Sequence, residues 1–513
     1  MNNFKFLFPI KCIRSKDGCT EFLFENFGAA GYYYFDDNKI MDGLLKTKMA
    51  RGTLVQLVGK ILSSALGLVA FAMMARYLGV DGFGMYVTIM AFLQFFGILV
   101  ECGFTLVTVQ MISPRDVNEE KILSNILTFR FVSALAFLAL APFVVLLFPY
   151  PSAIKVGVAI SAAAFVFLSV SQVLVSYFQK ALRLIVVSVA ENVGRLVLIG
   201  GVFFAIHFNL GLMNILVWSL IASFANLLIN YFWCAKWLKL RLAFDWKIWR
   251  DIWHRAWPFA LSISLNLLYL KGDTIILSLF RSQSEVGLYG ATYRILDILT
   301  MIPTLIMGVA LPVLTRFWME NKEEFYSLMQ KVFDVFLMLA IPIVLGTLVI
   351  AEQIMVFVAG REFAAAGAIL RILILAAGAI LLNGLTGYAV VALHQQKKMM
   401  FGYMLTAALT LIGYFTTIPK FGYLGAAWFT VFSETLILFL TSLVVYKTSK
   451  FVASFKLLPK ILLASLAMAL CLWLTIDLPV WILFFEALIV YFGLMFICGG
   501  LKKQTLVDLL KMK

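Results

Sequence analysis

From about Thr53 to about Gly499 the chain is a succession of long apolar segments, broken only by connections of roughly 4 to 20 residues. A hydrocarbon core about 30 Å thick takes roughly 20 apolar residues per helical crossing, and about fourteen segments of that length are present. The expected fold class is therefore an all-α integral membrane protein, with its work done across or within a bilayer. Hydrophobic residues make up 63% of the chain and charged ones 13%, with 47 Phe against 3 His, more apolar surface than a soluble domain could bury.

The expected crossings are 53–76, 85–110, 122–148, 154–179, 184–207, 210–235, 256–280, 287–312, 328–350, 364–392, 398–418, 423–446, 458–477 and 480–499. The formal charge of +15 raises the question of nucleic acid, and the placement of the charges answers it. Lys and Arg concentrate in alternate connections: Lys46, Lys48 and Arg51; Arg115 and Lys121; Lys180 and Arg183; the run from Lys236 to Arg255; Arg316, Lys322 and Lys331; Lys397 and Lys398; Lys447 to Lys460; and the tail from Lys502. The opposite connections hold only a few, such as Arg76, Lys155, Arg281, Arg361 and Lys420. Short-loop cations set membrane orientation, so both termini are expected in the cytoplasm, the number of crossings is even, and no nucleic-acid partner is implied. A cell inner (cytoplasmic) membrane location fits this pattern.

Residues 1–48 have no apolar run long enough for a signal-peptide core and no helical period. They read as a disordered cytoplasmic extension or as an over-extended start, with Met41 or Met49 as alternatives. The spacing of Cys12 and Cys19 does not suit a metal, and Cys102, Cys234, Cys471 and Cys498 sit in or beside spans as small apolar residues; no disulfide, metal or cofactor is expected. In the linker 236–255 and just beyond it, Trp246, Trp249, Trp253 and Trp257 recur at steps of three and four among Lys and Arg, the pattern of an interfacial amphipathic helix on the cytoplasmic leaflet.

The chain also repeats itself. One span after Arg51 it reads GVDGFGMYVTIMAF, and one span after Arg255 it reads SQSEVGLYGATYRI, so Gly84-Met85-Tyr86 matches Gly287-Leu288-Tyr289. Leu210-Gly211 with Ser219 likewise parallels Leu424-Gly425 with Ser433. Six-span units that start on the same side imply two parallel repeats about an axis along the membrane normal, as in alternating-access transporters. The expected units are an N-terminal lobe at 49–235, a C-terminal lobe at 256–450, and two further helices with a basic tail at 451–513.

These blocks resemble a family. ARYLGVDGFGMYVTI, Glu101-Cys102-Gly103, GDTIILSLFRSQSEVGLYGATYRI from Gly272, Pro312-x-Leu314 and IPKFGYLGAAWFT from Ile418 occur in an order that is similar to the polysaccharide transport, Wzx-type O-antigen and oligosaccharide flippases. Their superfamily also holds multidrug and toxin extruders and lipid II flippases. The resemblance implies a flippase for a polyprenyl-diphosphate-linked oligosaccharide in surface polysaccharide, including lipopolysaccharide, biosynthesis. Membrane lipids, glycosyltransferases and a polysaccharide polymerase are its expected partners.

Ionisable groups inside spans are costly and usually face a partner or a wet cavity. Candidate cavity cations are Arg294, Lys60, Arg195, Lys271 and Arg130; candidate charge partners or coupling carboxylates are Glu101, Glu191, Asp273, Asp297 and Glu434. Lys60 and Glu101 fall at similar depth, which allows a pair. Glu191 and Arg195 are four apart on one helix face. Lys271 and Asp273 fall level with Arg294 and Asp297, an expected four-charge cluster. A diphosphate head calls for such cations, Arg as a planar fork and Lys as a point charge, and the lipid II flippases use basic residues in the first and eighth spans, where Lys60 and Arg294 lie. Carboxylates offer sites for H⁺ or Na⁺ coupling.

Two other readings compete. A cation-coupled multidrug antiporter of the same superfamily favours a cavity dominated by carboxylates, and this set includes several cations. A membrane enzyme of polysaccharide assembly needs a substantial extramembrane loop, whereas the connections here are short and His207, His254 and His394 lie far apart, with no catalytic constellation.

Overall fold

The computed structural model describes residues 43–101, 104–113, 117–181 and 183–500, with side chains except at 43–57, 98, 99, 106 and 257–270. The first 42 residues with Cys12 and Cys19, the Cys102-Gly103 pair, Arg115, the tail lysines, and the side chains of Lys46, Lys48, Arg51 and Trp257 lie outside the described residues.

Ten helices are long and apolar enough to cross a membrane. Two of them are hairpins. The helix Gly43–Glu101 would be about 88 Å long if straight, far more than one crossing. It breaks at Gly79 (φ 65°, ψ −177°), and the rings of Phe71 and Phe83 end 5.3 Å apart. The helix Gln396–Ser449 breaks likewise at Gly422 (φ 58°), which lets Tyr414 and Phe429 meet at 6.4 Å. Both φ values lie in the left-handed region open to glycine.

With these hairpins divided, and with Trp246–Phe280 and Leu458–Leu474 added, the described chain makes fourteen crossings. They are α1 (43–78), α2 (described at 80–101 and 104–112), α3 (Glu119–Leu147), α4 (Ser152–Lys180), α5 (Leu184–His207), α6 (Gly211–Ala235), α7 (Trp246–Phe280), α8 (Gln283–Glu320, interrupted at Thr300), α9 (Lys322–Ala359), α10 (Ala366–Ala392), α11 (396–421), α12 (423–449), α13 (Leu458–Leu474) and α14 (Val480–Ile497). No strand occurs among the described residues. The helix of α1 already runs from Gly43, so the last residues of the expected extension are helical.

The crossings form two six-helix lobes, α1–α6 and α7–α12, with α13 and α14 packed against α9 through Leu337, Ile350, Met468 and Leu483. The repeat is visible at its centre. A Cβ on Gly84 of α2 would fall 1.8 Å from the Gln283 carbonyl oxygen, and one on Gly287 of α8 would fall 2.1 Å from that of Val80. The two glycines that match in sequence therefore face each other, backbone against backbone, as small residues do where membrane helices cross closely. The second match slips by three residues: the counterpart of Gly211 (φ 73°), which opens α6, is the turn glycine Gly422 and not Gly425.

Two ends of the bundle differ. At the end holding the Gly79 and Gly422 turns, here the turn end, one apolar core crosses both lobes and includes Phe71, Phe83, Tyr86, Ala291, Met355 and Phe363. Thr88 donates to Gln283 at 2.7 Å, Tyr150 bonds Ser278 at 2.8 Å, Ser284 donates to Asp81, and the Arg76 guanidinium donates to the Phe357 carbonyl. At the opposite, basic end the cores are separate. One holds Met307, Leu314, Phe325 and Met399 of the second lobe, and the other Phe104, Leu123, Phe178 and Cys234 of the first, joined by Ile252 and Ala256 from the start of α7. The lobes thus meet at the turn end, and the cleft between them opens at the basic end.

The linker is fastened to the first lobe. After a turn at Lys236 and Trp237 the chain runs without regular structure to Asp245, which caps the first turn of α7 by accepting from the Lys247 N–H at 3.1 Å. The hydrogen bond from Lys121 holds the Asp245 carboxyl below the usual carboxylate range, so its contribution is present at neutral pH and is lost only as the pH falls through that lowered value. Trp246 and Trp253 are exposed, but Trp249 packs on Phe129 at 4.9 Å and Phe244 at 4.7 Å; the expected single tryptophan face is split.

A cysteine pair replacing Asp81 and Ser284 is expected to form a disulfide, and adding Gly84→Val should abolish it by prising α2 from α8. Gel mobility with and without reductant checks this; cross-linking that survives Gly84→Val would contradict the close crossing.

Candidate functional site

Polar residues inside the spans converge on the cleft. On α1, Lys60, Ser64 and Gly67 share one face by their spacing. On α8, Arg294, Asp297 and Met301 do the same, and Ser64 Oγ meets Met301 Sδ at 3.4 Å. Helix α5 closes the third side: Asn192 donates to the Gly59 carbonyl at 3.3 Å, and the Arg195 guanidinium lies over Gly67, where a Cβ would be 3.7 Å from its Cζ. Lys60, Glu191, Arg195 and Arg294 are all exposed although they sit well inside their spans. Charges at that depth usually face a partner or water, which suits a wet cleft between the lobes.

The expected pairings are redrawn. Glu101 pairs with Arg130 rather than with Lys60. Lys60 instead acts on Glu191 together with Arg195, and these three form no direct ion pair among the described residues. The four-charge cluster holds in half. Lys271 bonds Asp297 at 3.3 Å and lies 4.5 Å over the Tyr293 ring. Asp273, in contrast, is fully buried away from the cleft, accepting from the Tyr289 hydroxyl at 2.7 Å and the Thr274 hydroxyl at 3.1 Å. Thr430 joins Tyr289 to Tyr414 at 3.3 Å each, so this polar core ties α7, α8, α11 and α12 together. Glu434 is buried within electrostatic reach of Tyr403 and Tyr414. Arg294 has no ion pair among the described residues.

Arg130 is not a cleft residue. Only 2% exposed, it donates to the carbonyls of Val100, Glu101 (3.1 Å) and Ser169 (3.3 Å) and lies 5.2 Å over the Phe104 ring. Arg130 thus ties α3 to the backbones of α2 and α4 as well as to the Glu101 carboxylate. The Thr105 hydroxyl holds the other Glu101 oxygen at 2.7 Å. Sequence reasoning missed both this role and Ser64. The Lys60-to-Ser64 step of four was the available signal for the latter; for Arg130, helix rotation had to be known.

With this geometry in view, relatives can be compared. Residues 49–318 match the family described as polysaccharide biosynthesis protein. The chain belongs to that family. A probable low-salt glycan biosynthesis flippase, Agl15 of Haloferax volcanii, is 23% identical over 398 residues, 75% of this chain and 81% of its own. Among solved structures, the lipid II flippase MurJ in its inward closed conformation superposes with a TM-score of 0.74 at 16% identity, over 86% of this chain and 98% of MurJ. An inward-facing multidrug resistance MATE transporter gives 0.61 at 14% identity, over 77% and 98%. These likenesses establish the two-lobe fold.

In this member of the polysaccharide biosynthesis family, Arg130 should behave as a structural group. Arg130→Met leaves three carbonyls and a carboxylate short of donors and should cost about 3–5 kcal/mol, the usual penalty for halving a buried pair. Thermal melting of the detergent-solubilised protein should fall clearly, with part of the loss recovered by adding Glu101→Gln. An unchanged melting temperature would return Arg130 to the ligand candidates.

Proposed function

We propose that the chain flips a polyprenyl-diphosphate-linked oligosaccharide from the inner to the outer leaflet by alternating access, for surface polysaccharide assembly. The observation that carries this reading is the grouping of Lys60, Arg195 and Arg294 around one inter-lobe cleft, exposed and outside any ion pair among the described residues. Three cations answered nearby chiefly by Glu191 make a site short of negative charge, and a diphosphate supplies it. In such a cleft Arg offers two parallel N–H groups to phosphate oxygens and Lys a compact charge. Glu191, between Lys60 and Arg195, and Asp297, on Lys271, orient the cations rather than neutralise the site.

Supporting the cargo class are the family and two flippase names, one for a glycan biosynthesis pathway and one for lipid II. The Lys and Arg of the basic end support a cytoplasmic orientation for it, in which the cleft opens toward newly made lipid-linked glycan. The glycan and head group enter the cleft while the tail stays in the bilayer. The work is binding and movement rather than bond breaking, and glycosyltransferases and a polymerase act before and after it. Where the cycle is ion-coupled, Asp273 and Glu434 are the groups on which H⁺ or Na⁺ acts, since both are buried in the second lobe beside hydroxyl groups. Cation-coupled multidrug antiport fits less well, because Arg294, which has no ion pair among the described residues, repels a cationic cargo.

Removing Arg294 separates a ligand from a structural role. Arg294→Ala should lower surface glycan production by about tenfold or more at normal protein abundance, the loss expected for a charge-assisted contact of roughly 1.5–3 kcal/mol. Arg294→Lys should recover part of it. Full glycan production by the alanine variant would rule Arg294 out. Reporter fusions should place Arg281 and Lys420 outside and Lys247 and Lys397 inside; an outside report from the Trp249 region would reverse the orientation.

A further inference from the structure

The connection between the lobes carries more exposed apolar side chain than a water-facing loop accounts for. Its inner side is spoken for. The backbone N–H groups of Arg241, Ala243 and Asp245 donate to Ser124 (3.3 Å), Thr128 (2.9 Å) and Asn125 (2.7 Å) of α3. Lys121 pairs with Asp245 at 2.8 Å, and Arg183 covers the Trp237 ring at 3.7 Å. The strip is therefore a fixed part of the first lobe and not a loose tether.

Its outer side is open. Leu242 is 72% exposed, Phe244 66% and Trp246 68%, and Trp253 is exposed one further step along α7. Lys239, Arg241, Lys247 and Arg250 are exposed among them. The carboxylates of this stretch, Asp245 and Asp251, are each taken by a cation, Lys121 and Arg255, so the charge left over is positive. Helix α7 has 35 residues, about 52 Å at 1.5 Å each. It outreaches a core of about 30 Å, which brings its first turns to the level of the head groups. Aromatic rings favour that level, and cations there meet anionic phosphates.

We propose that this strip docks on the anionic phospholipid head groups of the leaflet at the basic end. Leu242, Phe244 and Trp246 seat against the upper acyl chains, and Lys239, Arg241, Lys247 and Arg250 lie on the phosphates. Because the strip is bonded to α3, the leaflet holds the first lobe, and the second lobe is the one that swings. That last consequence rests on the alternating-access reading; the docking does not.

The test uses the full chain, with its native cysteines replaced, an environment-sensitive fluorophore on Phe244→Cys, and reconstitution into phosphatidylcholine vesicles with or without phosphatidylglycerol. Emission should be blue-shifted and quenched by brominated acyl chains in the phosphatidylglycerol vesicles, much less so in phosphatidylcholine alone, and high salt should erase the difference. Changing Lys239, Arg241, Lys247 and Arg250 to Gln should reduce the signal to the phosphatidylcholine level. If that variant does not fold, the salt response of the parent protein decides. Equal insertion in both lipids regardless of salt, water-like emission in both (the result expected if a protein covers this face), or an unchanged signal in a folded four-Gln variant would each overturn the proposal. None of these readouts needs transport, so they stand apart from the Arg294 experiment.

Discussion

A charge inside a hydrocarbon layer must be paired, bonded to backbone or wet, and that constraint organises this molecule. It sorts the intramembrane cations into two sets. Arg130 is spent on backbone carbonyls and the Glu101 carboxylate, and Lys271 on Asp297. Lys60, Arg195 and Arg294 are left exposed and outside any ion pair among the described residues. A single residue type thus serves two purposes, and what separates them is whether carbonyl and carboxylate acceptors lie within reach.

The repeat turns this sorting into an architecture. Because Gly84 and Gly287 occupy matching places in the two lobes, their contact lies near the pseudo-axis, and the absence of side chains there allows α2 and α8 to touch by backbone. The apolar core the lobes share, from Phe83 against Phe363, and the Tyr150–Ser278 bond lie on the turn side of that crossing or close to it, while Ser64 on Met301 and Trp249 on Phe129 join the lobes farther toward the basic end. The remaining polar residues are free to line a cleft on the other side.

The crossings were legible because their signal is additive: some 20 apolar residues in a row say the same thing whatever each one touches. Both hairpin turns fell where the sequence broke, at Gly79 and Gly422. Pairings were less legible because they depend on helix rotation. Depth alone put Glu101 level with Lys60, yet rotation gives it to Arg130 on α3 and gives Lys60 to Glu191 on α5. Asp273 illustrates the same limit: two residues from Lys271, it points about 200° around the helix, into hydroxyl groups no spacing rule would bring together. Trp249 departs from its neighbours since it has Phe129 to lean on.

The fastening of the linker bears on which contact yields first when the lobes part. Helix α7 is held to the first lobe at both ends. At its start are three backbone hydrogen bonds, the Lys121–Asp245 pair and the Trp249 stacking; at its far end is the Tyr150–Ser278 hydroxyl bond. Neutral hydrogen bonds contribute roughly 0.5–1.5 kcal/mol each, so in polar contacts the far end is the weaker, its remaining hold being the packing of Leu279 on the shared apolar core. Release at Ser278 leaves α7 rooted in the first lobe while its upper part follows the second. The covalent link between the lobes then stays fixed at the basic end, and the opening occurs at the turn end, where the shared apolar core now lies.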